Sequence, residues 1–438
     1  MASSAEMKAR IILNAISSGN LVMLKEVAKQ FNEAKIEEIE DEDGDSALHL
    51  AAFHGRTKIC QYLVEDLAFP VDFLTEKGES PLLYAVVRSH TETVKYLISR
   101  GANPAVLNNK GTNPLHYAAR HGHVKLVKYL LSLGVPVEGT LKNALCTPLM
   151  AAVQCGQEST VKVLLQQRAK VNHVTITDDT PLLSSVRAGS LECTKLLIKA
   201  GADLNLKCPL AVAVHMQSVE IIKCLLEAGA DPNVCNIYGQ LPIEIAVMGK
   251  NRNIVEMLFP LTSPIREVDD WSVQGIIQYV NSDDYFQKNK EILENSSAYL
   301  KGKGDDSFKK KEYMAASIFY SKAIGLGKMI GFGDAVLYLN RSLCWHRLRE
   351  GHKALEDALM AHELRPEWSK ACYCIGAALM LLEDYKQASR AFLEGLQLDP
   401  SNTEMRKAHR EAVDCLRRSR LGEESKYTSD LVFEPFFE

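Results

Sequence analysis

This sequence predicts an all-α protein made of two successive helical-repeat arrays, and three observations predict it. A short Pro-Leu turn signature recurs seven times at near-constant spacing. Each recurrence opens two stretches with apolar residues at helical period and a turn, usually glycine, between them. Beyond Pro264 a second set of landmarks takes over, with small and aromatic residues repeating about every 34 positions.

The signature starts at Ser46-Ala47-Leu48-His49, Ser80-Pro81-Leu82-Leu83, Asn113-Pro114-Leu115-His116 and Thr147-Pro148-Leu149-Met150. Thr180-Pro181-Leu182-Leu183, Cys208-Pro209-Leu210-Ala211 and Leu241-Pro242-Ile243-Glu244 follow, at intervals of 34, 33, 34, 33, 28 and 33 residues. Proline at the first helical position costs nothing, because its missing N–H would have no helical partner there. The unit from Asn109 to Glu138 shows the plan. Asn113 starts a helix, and Leu115, Ala118 and Ala119 share one face. Gly122 ends that helix, Val124 to Leu131 form a second, and Gly134 closes it. This period and start resemble the ankyrin repeat, over Met7 to Pro264. The resemblance implies a solenoid whose concave side grips other proteins and which rarely holds a reactive centre.

Residues 1–45 read as an atypical capping helix pair, with Gly19-Asn20-Leu21 between its helices and an acidic turn from Glu33 to Asp45. Residues 46–264 read as about seven ankyrin units. His49 and His116 fall where family histidines bond neighbouring turns, and His121 and His123 bracket Gly122 where Gly-His is common at the family's inter-helix turn, so a structural role is expected for all four and no metal site. The interval of 28 places a shortened finger near 204–208, with intact helix patterns on both sides.

Asp269-Asp270-Trp271 opens a short apolar-periodic stretch through Val280, and polar residues follow. Residues 265–293 are therefore expected to be a docking helix plus linker. In 294–402, Gly304, Ala316, Tyr320 and Ala323 begin a pattern that Ser342, Trp345, Ala354, Ala361 and Pro366 repeat. Gly376, Ala388, Phe392 and Pro400 repeat it again. This resembles three tetratricopeptide repeats. Residues 403–420 read as a solvating helix, and 421–438 as a disordered tail. The first unit is about four residues longer than the next, and an enlarged loop is expected at Gly325 to Gly333. Its glycines do not make a phosphate cradle: no strand precedes them, and Gly-Lys-Ser/Thr stands nowhere in the chain.

Three-repeat tetratricopeptide domains often hold the C-terminal Glu-Glu-Val-Asp tails of heat-shock chaperones through a two-carboxylate clamp. The family pattern has Lys and Asn on the first inner helix, Asn on the second, and Lys and Arg on the third. By motif, Lys301, Asn340 and Lys370 retain three of these five positions. Asp305 stands for the first Asn and Cys374 for the Arg. Asp305 would set a like charge beside the ligand, and Cys374 removes a cation, so tail binding is expected to be weak. The ankyrin units, Trp-containing linker and tetratricopeptide module together resemble plant-type ankyrin plus tetratricopeptide adaptor proteins, particularly at Asn340-Arg341-Ser342-Leu343-Cys344-Trp345.

Bulk properties agree. The 438 residues are 46% apolar and 24% charged, and a net charge of −4 provides no global field for nucleic acid or an anionic membrane. The eleven cysteines lack metal-type spacing, and no apolar run reaches membrane-spanning length. A reducing compartment is expected, cytoplasm or nucleus. So are protein partners, without a cofactor, a metal, a small-molecule substrate or membrane insertion. The resemblances imply a non-enzymatic scaffold or adaptor joining an ankyrin-bound partner to a second one. Their alternative is a co-chaperone-type adaptor that holds chaperone tails.

Overall fold

The computed structural model describes residues 4–30, 36, 39, 44–139, 146–329 and 333–421. The acidic turn expected at 33–45 falls outside these residues except for Ile36, Ile39, Gly44 and Asp45, and so do 330–332 of the expected loop and the tail from 422. All elements among the described residues are helical. The chain divides into two compact units, 1–236 with 241–263, and 237–240 with 264–438.

In the first unit, helices Ser4–Ser18 and Leu21–Gln30 precede seven helix pairs. Short first helices start at Ala47, Pro81, Pro114, Pro148, Pro181, Pro209 and Pro242. Their caps are local. Ser80, Thr147 and Thr180 hydroxyl oxygens accept from the backbone N–H three residues on, at 3.1–3.3 Å. Asn113 and His116 close a reciprocal capping box. Small side chains repeat where the helices meet: Ala51, Ala85, Ala118, Ala152, Ala213 and Ala246 are all buried. Ser185 takes that place in the fifth pair, and its hydroxyl is satisfied by Thr194 Oγ1 at 2.9 Å and the Leu182 carbonyl at 2.7 Å.

Histidines link successive units: His49 Nε2 lies 3.0 Å from the Glu79 carbonyl and His116 Nε2 3.2 Å from that of Cys146. The shortened finger is absorbed by two successive left-handed residues, Lys207 (φ 61°) and Cys208 (φ 55°). The ladder between fingers survives there, because Asp231 N–H donates to Asn205 Oδ1 at 3.0 Å.

The second unit contains helices Val273–Val280, Asp283–Lys309, Tyr313–Met329, Ala335–Arg347, Gly351–Leu364, Ser369–Leu381, Tyr385–Leu398 and Thr403–Leu421. Two expectations change here. Residues 283–293 are not linker but the start of the unbroken helix Asp283–Lys309. Ser282 Oγ caps it by accepting from Tyr285 N–H at 3.3 Å, and Tyr285, Leu293, Leu300 and Phe308 form a buried stripe at helical spacing. The loop expected from Gly325 is also wrong for its first five residues. Gly325 to Met329 extend the helix Tyr313–Met329, because Leu326 continues the buried stripe of Phe319 and Ala323. Burial there outweighs the low helix propensity of two glycines.

Gly304 and Gly376 are close-approach positions. A Cβ on Gly304 would lie 2.6 Å from the Tyr320 ring, and one on Gly376 2.5 Å from the Phe392 ring. Gly304→Ala is therefore expected to destabilise this unit by about 1–3 kcal/mol through overpacking. Urea denaturation followed by fluorescence measures this; an unchanged midpoint would contradict the close packing.

Candidate functional site

The clamp-like residues lie on three helices of the second unit. Helix Asp283–Lys309 carries Lys301 and Asp305 one turn apart, helix Ala335–Arg347 carries Asn340, and helix Ser369–Leu381 carries Lys370 and Cys374. The structure brings Lys301, Asp305 and Asn340 together. Lys301 Nζ stands 3.7 Å from Asp305 Oδ2. Asp305 Oδ1 accepts from Tyr320 Oη–H at 2.6 Å and from Asn340 Nδ2–H at 3.3 Å. Asp305 and Asn340 are both buried. Burial first, and the Asp305 carboxylate second, hold the Tyr320 phenol far above its usual titration range, so it remains a donor.

Asp305 thus does more than repel. Its carboxylate sits where Lys301 and Asn340 converge and engages both. Cys374 belongs to the buried apolar cluster with Ala371 and Ala377, and burial pushes its thiol up to about 12. It therefore supplies neither cation nor anion. Lys370 is half-buried at the start of its helix, one turn before Cys374.

Neighbouring cations are committed elsewhere. Arg341 makes a two-pronged contact with Asp357, Nε–Oδ2 at 2.7 Å and Nη2–Oδ1 at 2.6 Å, and Nη1 donates to Ser321 Oγ at 2.9 Å. Lys303 Nζ lies over the Tyr299 and Phe319 rings, 5.2 and 5.5 Å from their centroids.

Folding also assembles a Cys-His-Glu line that separate motifs did not reveal. Cys372 Sγ is 3.9 Å from His362 Nδ1, and His362 Nε2 is 3.8 Å from Glu394 Oε1. It resembles a nucleophile relay in outline only. Cys372 is 1% exposed, and burial, then Glu394, push its thiol up to about 11. A buried thiol protonated at neutral pH is not an activated nucleophile. Among the described residues no group of three or more His, Cys, Asp or Glu could hold a metal ion, and no helix is long and apolar enough to cross a membrane.

Comparison with known families places the first unit. Ankyrin-repeat families match residues 43–72, 63–140, 135–208 and 210–259. The first unit is an ankyrin-repeat array. The chain also resembles proteins built with tetratricopeptide repeats, which fits the helix pairs of the second unit. It is 39% identical over 106 residues to the heat shock protein sti1 homolog of Schizosaccharomyces pombe, covering 24% of this chain and 17% of that protein. It is 36% identical over 121 residues to Hsp70-Hsp90 organizing protein 1 of Glycine max, covering 28% and 20%. Against small glutamine-rich tetratricopeptide repeat-containing protein 2 of Mycosarcoma maydis it is 32% identical over 108 residues, covering 25% and 30%. The chain thus spans less than a third of the length of each relative. They come from fungi and a plant alike, so the plant-type resemblance is not singled out.

Proposed function

We propose that this chain is a non-enzymatic adaptor of the cytoplasm or nucleus, joining a protein bound by its ankyrin array to another bound by its tetratricopeptide unit. The observation that carries the reading is the presence of two different repeat arrays on one chain. Each such array is a platform for another protein. A tandem affinity experiment tests it. Partners captured on the full chain are re-captured through one ankyrin-bound partner. An adaptor yields ternary complexes containing a tetratricopeptide-bound protein; binary complexes alone would argue against it.

A second reading, a co-chaperone-type adaptor, is favoured by the retained Lys301, Asn340 and Lys370 together with the co-chaperone names among the relatives. On this reading a Glu-Glu-Val-Asp-ending peptide binds the full chain weakly, and Lys370→Ala removes the binding. Calorimetry reads both. Binding that survives Lys370→Ala would place the peptide elsewhere.

A further inference from the structure

The turns between the first and second helices of the first three ankyrin pairs carry an unusual row of bases. Their sequences are Phe53-His54-Gly55-Arg56, Val87-Arg88-Ser89-His90 and Arg120-His121-Gly122-His123, with no carboxylate among them. The turns of later pairs carry at most one base each: none in Gln154-Cys155-Gly156-Gln157, then Arg187 (paired with Asp179 at 2.7 Å), His215 and Lys250.

Three of these bases knit the stack. His90 Nε2 lies 3.0 Å from the Phe53 carbonyl, His123 Nε2 lies 3.2 Å from that of Val87, and Arg56 donates to the Ser17 carbonyl at 2.7 Å. Backbone carbonyls satisfy donors but do not neutralise charge. The other four are surplus to that framework. Arg88, Arg120 and His121 are exposed, His54 is half-buried, and Arg88 Cζ lies over the Phe53 ring, 4.4 Å from its centroid. Among the described residues none of the four forms an ion pair with a carboxylate. Arg88 is felt from both sides of the row. Burial first, then Arg56, Arg88 and His90, hold His54 below the usual histidine value, while burial, His123, Arg120 and Arg88 do the same to His121.

We propose that this row docks an extended, Asp/Glu-rich segment of the ankyrin-bound protein partner, its carboxylates meeting Arg88 and Arg120. The inference rests on the adaptor reading and names the chemistry of one partner. Charge complementarity carries it: the unpaired guanidinium groups of Arg88 and Arg120 are completed by carboxylates. A protein segment fits better than nucleic acid. The basic stretch spans only three units of a chain whose net charge is −4, so a long polyanion would run into unfavourable field.

The test is fluorescence anisotropy with the full chain and a labelled ten-residue peptide of alternating Glu and Ser, beside its Gln counterpart and a single-stranded RNA of equal charge. The Glu peptide should bind and the Gln peptide should not. Arg88→Ala and Arg120→Ala should each weaken binding about fivefold, and the double reversal Arg88→Glu/Arg120→Glu by at least about tenfold. Lys162→Glu, a larger charge change than either alanine substitution but at an exposed position of a second helix, should alter it less than about twofold. Helical content by circular dichroism checks that each variant remains folded. Equal binding of the Gln peptide, equal losses in Lys162→Glu, or tighter binding of RNA would overturn the proposal. If the Glu peptide fails while tandem capture still yields ternary complexes, this inference falls and the adaptor reading stands.

Discussion

Replacing Asp357 by alanine is expected to lower the stability of the second unit by about 3–5 kcal/mol, the cost of leaving a partly buried charge without its partner. Asp357 is 3% exposed and accepts from three donors: Arg341 Nε and Nη2, at 2.7 and 2.6 Å, and Trp345 Nε1 at 3.1 Å. Burial raises its carboxyl above the ordinary value even though Arg341 pulls it down. The ion pair therefore offsets much of the desolvation cost without adding a large surplus. Two consequences separate this account from a simple count of salt bridges. Removing only the carboxylate should be severe, whereas Arg341→Met with Asp357→Leu, which leaves no orphan charge, should cost clearly less than the two single changes together. Tryptophan emission reads the effect selectively, because Trp271, Trp345 and Trp368 all lie in the second unit. A midpoint for Asp357→Ala within about 0.5 kcal/mol of the parent, the range of ordinary surface changes, would show that the pair is dispensable.

The repeat plan was legible because its landmarks obey local physics. Pro114 at a helix start, Asn113 before it and Ala118 at a crossing are each readable from one residue and its neighbours. What escaped was set by contacts remote in sequence. The polar stretch after Ser282 reads as linker until Leu293 and Leu300 find a partner helix. Gly325 and Gly327 read as a loop until Leu326 is seen buried. In the candidate site, Asp305 was recognisable as a departure from the clamp pattern. Its Tyr320 partner, 15 residues away on the next helix, was legible as a repeat landmark but not as the partner of Asp305. Likewise Cys372, His362 and Glu394 come from three helices, and only folding aligns them.

Asp305→Asn is expected to tighten binding of a Glu-Glu-Val-Asp-ending peptide about ten- to a hundredfold, the worth of one or two charge-assisted hydrogen bonds. In the natural chain the Asp305 carboxylate engages Lys301 and Asn340, two of the three retained groups expected to receive a ligand carboxylate. An asparagine there can still accept from Tyr320 through its amide oxygen, so the local network survives. It no longer neutralises Lys301, and it no longer repels an incoming anion. The second departure cannot be reversed as cleanly. Cys374 is 3% exposed within the apolar cluster, and Cys374→Arg would drive a guanidinium into the core. The single substitution is therefore the informative one, measured by calorimetry on the full chain beside Asp305→Asn/Lys370→Ala. Tightening that vanishes when Lys370 is removed would mean that a built-in carboxylate occupies the ligand's place. Unchanged affinity in Asp305→Asn would mean that the weak site owes nothing to Asp305, leaving the lost cation at position 374 as its cause.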